Sequence, residues 1–447
     1  MKRRDFVKKV GFATAGAFAA PFILPSGRLF AASGVRKVDH VVFCLYAGGV
    51  RALDTVDKSL GNLLPNILSG NEPIAADIAA TIDVLPSLGA SLQTQGSLFR
   101  EFRYHKGPTG HYNGHTVAIT GKYTDTDLDI NARPQSPTIF ELYRKHNSPA
   151  QTALKSWWVA DHLGPYPALN YSAYPGYGAE YGANYIAPTF LFSDQGNASI
   201  NALRTFNTNE QAGIDKIKKF LDQNFSHNFV DGDAGVTNTE ADKADLQTWI
   251  TNMMNNYNSG LTWDPWLIGA SKMNNDMRNM YFAEEVIKKY QPELLVVNMQ
   301  QVDICHFNFT NYCDNLYKAD YAVAHLWNTI QNTPGMTNNT VMIIAPEHGR
   351  NQTGNNHLDQ NGRSALDHTS AMDGTGDQMA REIFCLVLGP PSVVRQGQVF
   401  DSIGSNGFGG ESIEIASVIS NLLGFDSAIP GGILKNYAAC DLNQSFF

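Results

Sequence analysis

Three short segments place a histidine beside or close to a carboxylate, each at or just beyond the end of an apolar run. Val297 to His306 contains Asp303 and His306, Ile343 to Arg350 contains Glu347 and His348, and Ser364 to Thr369 contains Asp367 and His368. Imidazole nitrogen mixed with carboxylate oxygen suits zinc or manganese better than calcium or copper. One such pair alone is more often a histidine hydrogen-bonded to its neighbour with no ion present. Three in succession, each in a loop after a strand, point to a divalent metal centre of one or two ions, zinc first and manganese second. A fourth segment, Tyr104 to Tyr123, runs from a Gly/Pro-rich turn into a predicted helix over Tyr112 to Ile119 and stops at Thr120-Gly121. The start of a helix offers unpaired N–H groups and the positive end of its dipole, a place for an anion. Thr109 and His111 lie there as alternative reacting groups. Lys106, Arg51 and Arg350 are the expected anion contacts.

These groups need a rigid frame to hold them. Val41 to Leu45, Trp157 to Ala160, Leu294 to Val297, Val341 to Ala345 and Ile383 to Leu388 are short, continuously apolar and often β-branched. That is the pattern of strands covered on both faces. Helical spacing alternates with them over Thr138 to Lys145, Asn275 to Tyr290, Tyr312 to Ile330 and Glu411 to Leu423. Alternation of this kind predicts an α/β fold, a doubly wound and mostly parallel sheet with helices on both faces. In such sheets ligands bind beyond the carboxyl ends of the strands, where the histidine segments fall. Residues from about Leu163 to Pro265, rich in Tyr, Asn, Gly and Pro, are expected to be an insertion or cap, with their aromatics mainly packing loops. Within it, Asp231 to Gly235 has a calcium-loop flavour without a full ligand set.

Composition narrows the function classes. The 447 residues carry 33 Lys+Arg against 42 Asp+Glu, a formal charge of −9, with 43% hydrophobic and 17% charged residues. This is a globular composition with no cationic surplus for a phosphate backbone, so no nucleic-acid partner is expected. No apolar run reaches the roughly 20 residues of a spanning helix. Residues 1–32 read as an export signal: Arg3-Arg4 followed by Asp5-Phe6-Val7-Lys8, then a short Ala/Gly-rich apolar stretch and small residues at Ala31 and Ala32. They are similar to a twin-arginine signal, implying a periplasmic or secreted mature domain over 33–447. Of five cysteines at least one must stay unpaired, and Cys44 and Cys385 lie in apolar runs as core thiols.

Taken in order, the motifs resemble the alkaline phosphatase–sulfatase superfamily, which includes phosphodiesterases and nucleotide pyrophosphatases. The ordered set is a first strand leading to Gly48-Gly49, the helix ending in Thr120-Gly121, Asp303 with His306, Glu347-His348-Gly349, and a late His368. The resemblance implies an alkaline phosphatase-like fold around two metal ions. Asp303, His306 and His368 would hold one ion, and Glu347 and His348 would belong to the second. The implied substrate is a small anionic ester of phosphate, or a related sulfate or phosphonate. The sequence departs from the pattern in four places. Tyr46-Ala47-Gly48 stands where the family carries Asp after the first strand, Glu347 replaces an Asp, and Asp303 and His306 are three apart instead of four. The nucleophile position falls near His111, with Thr109 aligning after a two-residue shift. Asp54, after the same turn, is an alternative carboxylate for the missing one. The Cys-x-Pro-x-Arg motif of formylglycine sulfatases is absent. These departures leave an alternative function open, a catalytically degenerate relative acting as a periplasmic or surface binding protein. The oligomeric state is not indicated.

Overall fold

The computed structural model describes residues 34–126, 133–147, 152–160, 169–188, 236–258, 266, 268, 272–401 and 409–447. The expected export signal, the Asp231 to Gly235 stretch and much of the expected insertion lie outside these residues. Nine strands form one sheet: β1 (His40–Tyr46), β2 (Gly96–Arg103), β3 (Ser156–Val159), β4 (Asn184–Ile186), β5 (Leu294–Met299), β6 (Thr340–Pro346), β7 (Glu382–Leu388), β8 (Gln398–Phe400) and β9 (Gly410–Glu411). The spatial order is β4-β3-β5-β1-β6-β7-β2-β8, with β9 against β2. Strand β1 is central and parallel to both neighbours, Leu45 lying beside Asn298 of β5 and Ala345 of β6.

The two faces of β1 show why its run is continuously apolar. Val42, Cys44 and Tyr46 point into one core with α3 (Glu240–Asn258), α4 (Asn275–Tyr290) and α5 (Phe309–Asn332). Val41, Phe43 and Leu45 point into the other with α1 (His111–Thr120), α2 (Ile139–His146) and α6 (Glu414–Leu422). Each fully buried Val, Leu, Ile or Phe is worth roughly 1.5–3 kcal/mol. The α/β architecture, doubly wound with a mostly parallel sheet, is therefore as the sequence implies. The helix ends follow local chemistry as well. Thr138 and Glu141 form a reciprocal capping box at the start of α2. Gly121, at φ 65°, closes α1 and donates to the Val117 carbonyl.

Two features depart from a uniform parallel sheet. Strand β7 runs antiparallel to β6, and β2 antiparallel to β7. The connection from Glu347 to Arg381 contains no crossover helix, only a short 3-10 turn at Gln378–Ala380. It stays at the carboxyl end of β6, so the chain must re-enter the sheet from that end and run backwards. Within the expected insertion, β4 pairs in parallel with β3 as an edge of the main sheet. Tyr171 and Tyr185 of that segment are fully buried, Tyr185 in the core on the α2 side. All five cysteines are buried free thiols, Cys44 and Cys385 inside β1 and β7. No helix among the described residues is long and apolar enough to cross a membrane.

Candidate metal and anion site

The carboxyl ends of β5, β1 and β6 lie side by side, Met299 and Pro346 flanking Tyr46. Three loops leave from this row. After β1 comes Gly48-Gly49, after β5 a 3-10 turn over Gln301–His306, and after β6 Glu347 to Arg350. Asp276, buried near the start of α4, holds the second loop by accepting from the Gln300 N–H at 2.6 Å. Helix α1 brings its first residue, His111, over all three. Its close approach depends on Gly114, where a Cβ would sit 3.0 Å from Glu347 Cβ and 3.0 Å from His348 Cδ2.

Four imidazoles meet here. The His111 ring lies 4.3 Å from that of His368, 5.1 Å from His348 and 5.8 Å from His306. His306 and His368 are 4.7 Å apart, centre to centre. The carboxylates Glu347 and Asp303 take opposite sides of His111. Nδ1 is 2.7 Å from Glu347 Oε1, and Nε2 is 2.8 Å from Asp303 Oδ1. The sequence-derived ligands Asp303, His306, Glu347, His348 and His368 are thus brought together, with His111 among them.

The protonation pattern fits a cation. His348 Nδ1 faces the Gly349 carbonyl at 2.9 Å, so Nδ1 carries hydrogen and Nε2 is a bare lone pair. That lone pair lies 3.4 Å from Glu347 Oε1, another acceptor. His306 Nδ1 faces Asp367 Oδ1 at 3.1 Å, which leaves its Nε2 lone pair 3.3 Å from Asp303 Oδ1. Asp367 is held in turn by Asn355 Nδ2 at 3.0 Å. Acceptors facing acceptors are costly when buried unless a cation lies between them. In addition His111 Nε2, His348 Nε2 and Glu347 Oε2 are buried atoms with no aligned hydrogen bond. Two groupings, His111/His306/His368 and His111/Glu347/His348, each have ligand atoms within 4.8 Å of one another. The residues fit a divalent metal, with carboxylate-oriented histidine as metal ligands usually require.

Electrostatics keep most of these rings neutral. Burial pushes His348 down to about 3. Burial also lowers His368, and the positive charges of His111 and Arg350 add to that. His306 is lowered by burial and by Arg350. His111 is the exception: burial opposes its charge, but Glu347 and Asp303 outweigh that and raise it to about 9. Glu347 stays ionised despite burial because three histidines surround it, and Asp303 because His111 and Arg350 do the same.

Sequence reasoning did not single out two supporting residues. Trp158 Nε1–H donates to Asn298 Oδ1 at 3.1 Å, which fixes the Asn298 amide so that Nδ2–H faces His115 Nε2 at 2.9 Å. His115 must therefore carry its hydrogen on Nδ1, which donates to the His111 carbonyl at 2.8 Å and lies 2.5 Å from Glu347 Oε2. His115, Asn298 and Trp158 are all fully buried. The available signal was spacing, since His115 is one helical turn beyond His111.

The remaining expectations fall unevenly. Thr109 is buried beside the site, and its hydroxyl donates to the His368 carbonyl. Arg350 is fully buried, its guanidinium donating to the carbonyls of Gly48, Gly49 and Leu366 and to Asp303 Oδ1 at 2.8 Å. Arg51 grips Asp54 through two bonds of 2.6 and 3.0 Å and donates to the Asn351 carbonyl. Both arginines are therefore engaged by the protein itself. Asp54, which also accepts from the Tyr312 hydroxyl at 3.2 Å, stands apart from the histidine cluster. Lys106 is exposed on the loop before α1. Tyr46-Ala47-Gly48, at the end of β1, carries no carboxylate, and the Gly48 N–H donates to Glu347 Oε1 at 2.6 Å.

No family model matches the chain, and no curated protein matches it. Solved structures with some likeness include the wild-type alkaline phosphatase PafA, at 11% identity over 91% of this chain and 99% of that one, TM-score 0.45. Another is the lipoteichoic acid synthase LtaP from Listeria monocytogenes, at 10% identity over 95% and 82%, TM-score 0.45. A third is a protein in the alkaline phosphatase superfamily from Vibrio parahaemolyticus, at 12% identity over 92% and 74%, TM-score 0.42. At these values the likeness lends nothing to a functional assignment, which has to come from the site.

Proposed function

We propose that the chain is an exported, metal-dependent hydrolase of small phosphate or related sulfate or phosphonate esters, of the alkaline phosphatase–sulfatase type. The observation that carries this reading is the pair of groupings His111/His306/His368 and His111/Glu347/His348, each with ligand atoms within 4.8 Å of one another, beside the carboxyl ends of the central strands. On this reading residues 1–32 direct export by the twin-arginine route. Residues 33–447 form the catalytic unit, elaborated over about 163–265.

Asp303, His306 and His368 would hold one divalent ion, and Glu347 and His348 would belong to another. Such ions polarise a phosphoryl or sulfuryl oxygen and lower the pKa of nearby water. The chain's own groups supply the rest. The start of α1 has no side-chain cap, so its first N–H groups and dipole favour an anionic ester there. Lys106 is placed to draw an anion toward the entrance. Asp367 orients His306, while His115 and Asn298 hold Glu347 ionised and in place. Thr109 and His111 are the two side chains at the helix start that can face the ester. Arg350 fixes the loops after β1 and β5 relative to each other.

The test is hydrolysis of p-nitrophenyl phosphate, bis-p-nitrophenyl phosphate and p-nitrophenyl sulfate by protein stripped with a chelator and reloaded with zinc or manganese. Turnover that appears with metal and disappears in Glu347→Gln supports the reading. No turnover of any of the three by protein that has taken up metal rejects it.

A further inference from the structure

Both ring nitrogens of His111 face carboxylates, at shorter range than the 3.1 and 3.3 Å at which those of His306 do. Nδ1 is 2.7 Å from Glu347 Oε1 and Nε2 is 2.8 Å from Asp303 Oδ1. Beyond those oxygens lie His348 Nε2, 3.4 Å from Glu347 Oε1, and His306 Nε2, 3.3 Å from Asp303 Oδ1. The atoms run in sequence from one group of donors, through a single imidazole, to the other. His111 is also the one residue common to both potential ligand groups among the described residues.

A neutral imidazole has one N–H and can satisfy one of the two carboxylates. The second contact then sets a lone pair against an oxygen. Two arrangements remove that conflict: a doubly protonated ring, or a cation at each nitrogen. Two ligands on one tetrahedral zinc, with bonds of roughly 2.0–2.1 Å, lie only slightly farther apart than these contacts. Among the described residues the only grouping that contains Glu347 and His348 has His111 as its third member. His111 is the side chain in reach to complete it.

We propose that His111 is a bridging metal ligand, Nδ1 serving an ion held with Glu347 and His348 and Nε2 serving an ion held with His306 and His368. The ring gives up its N–H proton to solvent when its second nitrogen binds. An imidazole bridge holds the ions farther apart than the roughly 3.5–4 Å at which two metals clamp one transferring group. The inference rests on the metal dependence proposed above but not on hydrolysis.

The experiment is metal stoichiometry of the stripped and reloaded full chain, together with the spin properties of its copper(II) form. Wild type is expected to take up two zinc ions, and His111→Asn, which keeps at most one donor, a single ion. With copper, the wild-type signal should integrate to well below two spins because the ring couples them. In His111→Asn the single ion should give its full intensity. Two ions retained in His111→Asn, one or none bound by wild type, or two uncoupled spins in wild type would each overturn the bridge. Thermal unfolding of both proteins in chelator shows whether the variant keeps its fold, and His111→Gln provides a second variant if it does not. A protein with two coupled ions and no esterase activity would sink the hydrolase reading alone.

Discussion

The N–H of Gly48 donates to Glu347 Oε1 at 2.6 Å, so a peptide dipole from the turn after β1 helps to hold this buried carboxylate. Gly48 has φ 139°, and a Cβ there would lie 2.8 Å from Asp303 N. The turn has been built around the absence of a side chain. Placing a carboxylate there with Gly48→Asp should therefore lower metal content and destabilise the fold by about 1–3 kcal/mol, through overpacking and backbone strain. Metal analysis alongside denaturant unfolding decides this, and a gain in bound metal would contradict it.

The Trp158–Asn298–His115 chain sets the tautomer of His115 and presents its Nδ1–H side to Glu347. Replacing Asn298 by Leu leaves His115 free to carry its hydrogen on either nitrogen. Loss of such an outer partner typically costs about 10–100-fold in metal affinity. Zinc affinity, measured by competition with a chromogenic chelator, should fall in that range. Asn298→Gln should recover little, because its longer amide cannot meet both Trp158 and His115.

The metal-free protein should have an alkaline limb of instability set by His111. Its pKa is raised from the usual 6.5 to about 9 in the folded state. A raised pKa means that the contribution is complete below pH 6.5 and vanishes as pH climbs through 9. The whole effect is about 3 kcal/mol. Unfolding of chelator-treated protein at pH 6 and pH 10 should show the loss, and His111→Asn should remove that slope.

Arg350 and Lys106 should separate cleanly. Arg350 satisfies three buried carbonyls as well as Asp303, so Arg350→Gln should cost about 1–3 kcal/mol for each buried carbonyl it leaves without a donor. Lys106→Ala should change stability by no more than about 0.5 kcal/mol, as surface substitutions do. If the ester enters past Lys106, that variant should raise KM and leave kcat alone. Steady-state kinetics and thermal melts on the two variants test both statements.

Much of this arrangement can be read from the chain, for physical reasons. Central strands covered on both faces announce themselves, as Val41 to Leu45 and Val341 to Ala345 do. Strand β2 does not, because Gly96-Ser-Leu-Phe-Arg-Glu-Phe-Arg103 mixes buried apolar residues with exposed charge and fits neither pattern. The reversal of β7 is invisible in its own apolar run, since direction depends on how the preceding connection returns. In the site, Asp303, His306, Glu347, His348 and His368 share motifs that recur after strands. Arg350 and Arg51 look identical to surface cations until the carbonyls around them are seen. His115 and Asn298 belong to no motif, and only the crossing of α1 over β5 makes them partners.

Helix α1 is short and poor in intrinsic helical tendency. Its ten residues fall below the roughly 12–15 that hold together alone, and Gly114 alone costs about 1 kcal/mol against Ala. It persists because Glu347, His348 and the sheet receive it. The segment carrying His111 therefore has little shape of its own, and the sheet of β1, β5 and β6 sets where that imidazole is held.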